Sequence, residues 1–163
     1  MTSQLTTLPP LKTVTGANRG IGLGVAESCL DNGASVVYSI DYAAPEPGDD
    51  FAAAQARWPG DRLRSLRADV TREATVTEAV ARIVEECGAL HGMVVNAGRT
   101  NHKAALDFTE EEIHELFNIN VSGLSPSLPF PPSLPLCLSP FSDHASSPDL
   151  LGEGGKGEVW CVV

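Results

Sequence analysis

The 163-residue sequence is poor in tyrosine and lysine, with Tyr38 and Tyr42 as its tyrosines and Lys12, Lys103 and Lys156 as its lysines. A phenol whose pKa is near 10 is a poor base at neutral pH unless a nearby cation stabilises the phenolate. Tyrosine-based proton transfer at neutral pH would therefore need a cation close to Tyr38 or Tyr42.

Other absences exclude whole classes of protein. The formal net charge is −10 and the isoelectric point is about 4.7, so nucleic acid is not an expected partner. No apolar run approaches the ~20 residues that span a bilayer, and the N-terminus lacks the basic and apolar regions of a secretory signal. The cysteines form no C-x-x-C pair, and the histidines show no metal-ligand spacing. We expect a cytoplasmic protein with no metal site and with neither nucleic acid nor a membrane as a partner.

Residues 11 to 122 alternate short apolar runs with helical patterns. Strands are predicted over residues 11–15, 34–40, 62–69 and 90–96. Helices are predicted after the first glycine loop, over 49–58, over 71–86 with an N-cap at Thr71 and a stop at Gly88, and after a capping box at Thr109 and Glu112. The order βαβαβαβα predicts an α/β fold, a doubly wound parallel sheet of about four strands with right-handed crossovers. Such sheets bind ligands beyond the carboxyl ends of their strands.

Three helices show an apolar stripe that predicts a buried face. In the first helix and the two last ones, respectively, these faces consist of Ile21, Val25, Ala26, Cys29 and Leu30; Val76, Val80, Ile83, Val84 and Cys87; and Ile113, Leu116, Phe117 and Val121.

The segment "TGANRGIG", residues 15–22, lies between the first strand and the first helix. Its glycines Gly16, Gly20 and Gly22 allow a tight turn and a close approach of the backbone to a pyrophosphate. The N–H groups at the start of the helix would face that anion, assisted by the helix dipole. A glycine-rich turn alone is common in loops, but its position between strand and helix favours nucleotide binding.

Asp41 ends the second strand, about 20 residues beyond the glycine loop, where a carboxylate can accept hydrogen bonds from a ribose diol. It would also repel a 2′-phosphate, which favours NAD over NADP. Arg19 in the glycine loop favours the opposite choice, because it could bind a phosphate. The other interpretation of Asp41 is a solvated residue at a strand end.

Four motifs in order resemble the short-chain dehydrogenase/reductase family over residues 11–123. They are "TGANRGIG", "ADVT" after the third strand, "VNAG" on the fourth, and "NINVSG" in the last helix. The resemblance implies that Asp69 and Val70 lie along the adenine ring and that Asn120 holds a water in a proton relay. The full set of cofactor residues that it implies, together with the glycine loop, is Gly16, Asn18, Arg19, Gly20, Ile21, Gly22, Asp41, Asp69, Val70, Asn96, Ala97 and Gly98.

The family transfers hydride between a nicotinamide cofactor, NAD or NADP, and a small carbinol or carbonyl substrate. It uses a serine, a tyrosine and a lysine four residues after that tyrosine to do so. No tyrosine in this sequence is followed four residues later by a lysine, so the Y-x-x-x-K pair is absent. The resemblance therefore implies an oxidoreductase half that keeps the cofactor contacts and lacks the catalytic residues. The segment between the last two motifs resembles sugar and polyol dehydrogenases. Family members usually form oligomers through helices near and beyond residue 123, and part of that surface is missing here, which argues against the same oligomer for this sequence. The alternative function is a non-catalytic nucleotide-binding or interaction module.

From residue 124 to residue 141 every residue is Leu, Ser, Pro, Phe or Cys. Its prolines exclude both a helix and a central parallel strand. Three interpretations remain: a polyproline II ligand, a disordered tail, or a translated pyrimidine-rich intron. The third is favoured because Leu, Ser, Pro, Phe and Cys share pyrimidine-rich codons. The expected division is a flexible N-terminus over 1–10, a truncated Rossmann-type domain over 11–123 and a tail over 124–163. We expect the fourth strand to be an exposed edge and the chain to be marginally stable.

Overall fold

The computed structural model describes residues 11–124, 136–137 and 159–160. Its strands are β1 (Leu11–Thr15), β2 (Val36–Asp41), β3 (Leu63–Arg67), β4 (Gly92–Val94), β5 (Leu136–Cys137) and β6 (Val159–Trp160). Its helices are α1 (Gly20–Asp31), α2 (Asp50–Arg57), α3 (Glu73–Cys87) and α4 (Glu110–Asn120), with short 3-10 turns at Ala105–Asp107 and Ser122–Leu124. The elements predicted between residues 11 and 122 are all present, with boundaries that differ by a few residues.

The four longer strands form a parallel sheet in the order β3-β2-β1-β4. Because β1 pairs with both β2 and β4, the order of the strands along the chain reverses at β1. This arrangement confirms the predicted α/β fold of doubly wound type. It also defines the point at which such sheets bind ligands, beyond the carboxyl ends of β1 and β4.

The prediction that β4 forms an exposed edge was wrong. β6 pairs in parallel with β4 at Val94 and Trp160, and β5 pairs with β6, so that the sheet order becomes β3-β2-β1-β4-β6-β5. β5 lies in the proline-rich segment, but it occupies the outer end of the sheet and not its centre. The flexibility predicted for residues 1–10 and the disorder predicted for residues 125–135, 138–158 and 161–163 lie outside the described residues. The intron origin stays a prediction.

Hydrophobic side chains pack on both faces of the sheet, as alternation along the strands requires. One cluster joins Val14 and Val37 to Leu30 of α1 and Phe51 of α2. The other includes Tyr38, Ile40 and Met93 from the strands and Ile83 from α3. The two clusters fix α1 and α2 on one face and α3 on the other, which holds the first turn of α1 at the end of β1.

The predicted buried faces of α1 and α3 are partly wrong. Ile21 is 81% exposed, because the first turn of α1 extends beyond the sheet. In α3 the buried residues are Val76, Ala79 and Ile83, whereas Val84 and Cys87 lie on the exposed side. The N-cap is Arg72 and not Thr71, whose N–H and hydroxyl instead bond Asp69. Gly88 ends the helix as predicted.

α4 begins with the predicted capping box, in which Thr109 and Glu112 each accept a hydrogen bond from the other's main chain. The burial predicted for α4 was wrong, because the helix has no buried residue and Phe117 is 62% exposed. Ile113, on the same helix, and Val121, the residue that follows the helix, are also exposed. Within residues 11–124, α4 packs mainly against the 3-10 turn that follows it. Among the described helices, none has both the length and the apolar composition that crossing a bilayer requires.

Candidate nucleotide-binding site

A cleft of about 820 Å³ lies at the carboxyl ends of β1, β2, β3 and β4. This volume falls within the ~300–1,000 Å³ that is usual for small-molecule and cofactor sites. Most of the residues predicted for the site line it, namely Gly16, Arg19, Ile21, Gly22, Asp41, Asp69, Val70, Asn96, Ala97 and Gly98. The structure thus brings residues from four separate motifs to one cleft. Asn18, Gly20 and Asn120 are not among the residues that line it.

Two glycines of the loop 16–22 are required by close contacts. Gly16 has a φ of 66°, and a Cβ at this position would lie 2.8 Å from Cα of Ala97. A Cβ on Gly22 would lie 2.4 Å from the carbonyl oxygen of Gly16 and 2.5 Å from Nδ2 of Asn96. Such distances exclude any side chain without movement of the backbone. The glycines therefore let the loop pack directly against the segment that follows β4.

Thr15 and Asn96 hold the loop against that segment. The hydroxyl oxygen of Thr15 accepts hydrogen bonds from the main-chain N–H groups of Asn96 at 2.9 Å and of Ala97 at 3.0 Å. In return, Nδ2 of Asn96 donates to the carbonyl oxygens of Thr15 at 3.0 Å and Gly16 at 3.4 Å. The side chain of Asn96 thus stabilises the floor of the cleft.

The start of α1 faces the cleft without a capping side chain. Its N-cap, Arg19, has extended backbone and makes no side-chain capping bond, and the first turn contains no acidic residue. The unpaired N–H groups of a helix N-terminus and the helix dipole attract anions. With Arg19 and the exposed Ile21 both lining the cleft, this end of α1 is suited to a phosphate group.

Asp41 lines the cleft at the end of β2. Its Oδ2 accepts a hydrogen bond from the main-chain N–H of Asn18 at 3.2 Å, and its Oδ1 accepts one from Ala43 at 3.3 Å. Each carboxylate oxygen has a second lone pair, so the group can accept further bonds from a ligand. The carboxylate is therefore oriented by the glycine loop on one side and by the segment after β2 on the other.

Asp69 and Val70 line the cleft directly after β3. Oδ1 of Asp69 accepts from the N–H of Thr71 at 3.0 Å and from its hydroxyl at 2.7 Å. The hydroxyl of Thr75 donates to the carbonyl oxygen of Asp69 at 2.8 Å. These bonds fix the turn that leads into α3 and place Val70 as an apolar wall.

Asn120, in the last turn of α4, bonds the main chain of Arg99 through both ends of its amide. A Cβ on Gly98 would lie only 2.7 Å from Oδ1 of Asn120. The side chain thus supports the loop after β4. The relay water that the resemblance implies at Asn120 stays a prediction.

Neither tyrosine is placed as a proton donor with a lysine partner within the described residues. Tyr38 is buried, and its hydroxyl donates to Glu86 at 2.7 Å and accepts from Arg64 at 2.7 Å. The pKa of Tyr38 is raised, mainly by burial and to a smaller extent by the hydrogen bonds of its hydroxyl with Cys87 and Glu86. Tyr42 lines the cleft, and Cζ of Arg67 lies 5.9 Å from the centroid of its ring.

Sequence reasoning missed several residues of the cleft. They are Ile40, Tyr42, Ala68, Thr71, Arg99, Thr100, Glu115, Asn118 and Ile119. Most adjoin a predicted residue along the chain, so strand-end position could have identified them. Glu115 and Ile119 are separated by one helical turn on α4, a spacing that could have placed both on the cleft side.

A parallel sheet whose order reverses at a glycine loop, with a helix N-terminus and a strand-end aspartate in one cleft, defines the class of dinucleotide-binding α/β proteins. A sequence profile described as short chain dehydrogenase matches residues 12–126. The chain belongs to this family.

The curated relatives include the 3-oxoacyl-[acyl-carrier-protein] reductase FabG of Vibrio harveyi, 33% identical over 111 residues that make up 68% of this chain and 43% of that protein. The hydroxynaphthalene reductase-like protein Arp2 of Metarhizium majus is 34% identical over 107 residues, 66% of this chain and 39% of that protein. The chain thus spans about two fifths of the length of these relatives.

Among solved structures, a short chain dehydrogenase from Mycobacterium smegmatis matches with a TM-score of 0.63 and 27% identity, over 74% of this chain and 49% of that one. The ligand-free aldohexose dehydrogenase of Thermoplasma acidophilum matches with a TM-score of 0.56 and 25% identity, over 69% of this chain and 39% of that one.

Proposed function

We propose that this chain is the cofactor-binding half of an NAD(P)-dependent short-chain oxidoreductase. In such an enzyme the reduced nicotinamide gives a hydride to a carbonyl substrate, or the oxidised nicotinamide takes one from a carbinol substrate. The observation that carries the proposal is the joint packing of the glycine loop against Asn96 and Ala97, which leaves the uncapped start of α1 facing the cleft.

The residues of the cleft fit a dinucleotide in three places. Arg19 and the first turn of α1 suit the pyrophosphate. Asp41 suits the diol of the adenosine ribose, and Val70 with Asp69 suits the adenine. Gly20, as part of the loop, gives the turn a φ of 57° beside Arg19. Because a carboxylate at Asp41 repels a 2′-phosphate, we propose NAD as the preferred cofactor.

We further propose that the 163 residues bind the cofactor without catalysing turnover, since they contain no Y-x-x-x-K pair. The substrate is a small carbonyl or carbinol compound. The matching proteins include a 3-oxoacyl-[acyl-carrier-protein] reductase and an aldohexose dehydrogenase, so a sugar or polyol substrate is one proposal among several.

Calorimetric titration of the chain with NAD⁺ and NADP⁺, together with an assay of NADH formation from simple alcohols, tests the proposal. We expect binding of NAD⁺ in preference to NADP⁺ and no NADH formation. Replacing the charge by Asp41→Asn should reduce the preference for NAD⁺. The absence of binding to either dinucleotide in a folded sample would contradict a cofactor site and favour the interaction module.

A further inference from the structure

Asn18, in the middle of the glycine loop, makes four hydrogen bonds to three other parts of the fold. Its Oδ1 accepts from the hydroxyls of Ser39 in β2 at 2.7 Å and Ser65 in β3 at 3.1 Å. Its Nδ2 donates to the carbonyl oxygen of Ala43 at 2.6 Å, and its main-chain N–H donates to Oδ2 of Asp41 at 3.2 Å. Asn18 is only 9% exposed. Its side chain is thus committed to the protein interior.

The orientation of the Asn18 amide follows from its partners. The carbonyl of Ala43 can only accept a hydrogen bond, so the amide nitrogen faces it. The amide oxygen then faces Ser39 and Ser65, both of which must donate to it. An aspartate of the same shape would place an oxygen against the Ala43 carbonyl. Position 18 therefore needs a donor and an acceptor on one short side chain.

The two main-chain donors that hold the Asp41 carboxylate belong to residues that the Asn18 side chain ties together. One donor is the N–H of Asn18 itself, and the other is the N–H of Ala43. Ala43 is fixed in turn by the amide of Asn18. Without this amide, the two donors would no longer be tied to each other, and the carboxylate would lose one constraint on its orientation toward the cleft.

We propose that Asn18 is a positioning residue for cofactor discrimination: it holds Asp41 so that the carboxylate meets the adenosine ribose. This inference rests on the proposed function, in which Asp41 selects NAD. The sequence resemblance assigns Asn18 to direct cofactor contact, whereas its bonds within the fold assign its side chain to the support of Asp41. A fixed carboxylate repels a 2′-phosphate, while one that can turn away toward solvent repels it much less.

The experiment measures Kd for NAD⁺ and NADP⁺ by calorimetry in the full 163-residue chain, in Asn18→Ala and in the control Asn32→Ala. Asn32 also donates a side-chain hydrogen bond, to the carbonyl oxygen of Ser28, but lies at the far end of α1. In Asn18→Ala we expect the ratio of the NADP⁺ Kd to the NAD⁺ Kd to fall by about tenfold, the size of effect that the loss of an oriented charged hydrogen bond produces. In Asn32→Ala the ratio should not change. A general loss of stability would weaken the binding of both cofactors alike and leave the ratio of the two Kd values unchanged.

Ser65→Ala provides a second, milder variant, because it removes one of the two donors to Oδ1 and leaves Asn18 in place. We expect it to lower the ratio by roughly two- to threefold, as one weak hydrogen bond would. If Asn18→Ala fails to fold, this variant decides the question.

The outcomes separate the two proposals. If the unmodified chain prefers NAD⁺ and both variants keep its ratio, the positioning role is overturned while the proposed function stands. If the unmodified chain binds neither cofactor, or binds both equally, the selection by Asp41 is wrong and the inference fails with it.

Discussion

The side-chain amide of Asn120 hydrogen-bonds both main-chain groups of Arg99. Its Oδ1 accepts from the N–H of Arg99 at 2.9 Å, and its Nδ2 donates to the carbonyl oxygen at 2.8 Å. The last turn of α4 thus holds the loop that carries Ala97 and Gly98 into the cleft.

Replacing this amide by Asn120→Ala should weaken both the fold and the cleft. Two hydrogen bonds are lost, each with a net contribution of about 0.5–1.5 kcal/mol to the free energy of unfolding. We expect a lower urea midpoint and weaker binding of NAD⁺. Asn120→Asp is a stringent comparison, since it keeps the acceptor but turns an oxygen toward the Arg99 carbonyl. Midpoints equal to that of the unmodified chain in both variants would contradict the role of the amide.

Two glycines of α1 give a matched pair of variants. Gly22→Ala would place its Cβ 2.4 Å from the carbonyl oxygen of Gly16, whereas a Cβ on Gly24 meets nothing within 4 Å. We expect Gly22→Ala to abolish dinucleotide binding and lower the urea midpoint. Gly24→Ala should raise stability by about 1 kcal/mol, because alanine is the better helix former. Similar behaviour of the two variants would show that the tight packing at Gly22 is not required.

The exposed apolar side of α4 predicts a hydrophobic patch on the surface, to which Phe117 should contribute most. Phe117 is 62% exposed and lies between the exposed Ile113 on α4 and Val121 just after it, whereas Leu106 is 98% exposed in the preceding 3-10 turn. We expect Phe117→Ser to lower the fluorescence of a bound hydrophobic dye and the tendency to self-associate more than Leu106→Ser does. Both should change the free energy of unfolding by less than about 0.5 kcal/mol. An equal effect of the two on dye binding would argue against a continuous patch.

The capping box of α4 predicts a loss of stability in acid. The pKa of Glu112 lies below the ordinary value of 4.5. The main cause is the hydrogen bond between its carboxylate and Lys103, and the second is the bond that the carboxylate accepts from the Thr109 N–H. A carboxyl group whose pKa is lowered by folding contributes stability that is fully present above 4.5 and is lost as pH falls through the lower folded pKa. Urea midpoints measured on both sides of that pH should fall more steeply for the unmodified chain than for Glu112→Gln. Equal slopes would mean that the capping box does not titrate with folding.

The run of Leu, Ser, Pro, Phe and Cys after Gly123 leads to a prediction about the transcript. If this segment is a retained intron, most mature messages should omit it and continue to a serine and a Y-x-x-x-K motif. Sequencing of native messages across the codon for Gly123 is the measurement. A fully spliced message that still encodes the segment would contradict the intron hypothesis.

Local patterns were sufficient to predict the strands, the helices and the glycine loop. The bounds of β1 and the capping box at Thr109 are as predicted, because each depends on a few neighbouring residues. The burial of helix faces was harder, since an apolar stripe states which side can be covered and not whether anything covers it. Ile21 and Phe117 are exposed for this reason.

The site shows the same limit. The strand-end positions of Asp41 and Asp69 follow from the strand pattern, and the structure places both in the cleft. The bonds of Asn18 to Ser39 and Ser65 depend on the pairing of β2 with β3 and on the path of the loop beside them. The pairing of β6 with β4 joins positions far apart in the chain, for which the local pattern carries no signal.

Thr15 and Asn96 are 81 residues apart in the chain. During synthesis, β1, β2 and β3 leave the ribosome before β4 does, so the glycine loop is complete as a sequence long before Asn96 can brace it. Contacts between distant residues form late, because a long loop must close first. The nascent chain should therefore acquire affinity for a dinucleotide abruptly, when β4 inserts beside β1. Ligand binding would then report the moment at which the two halves of this sheet come together.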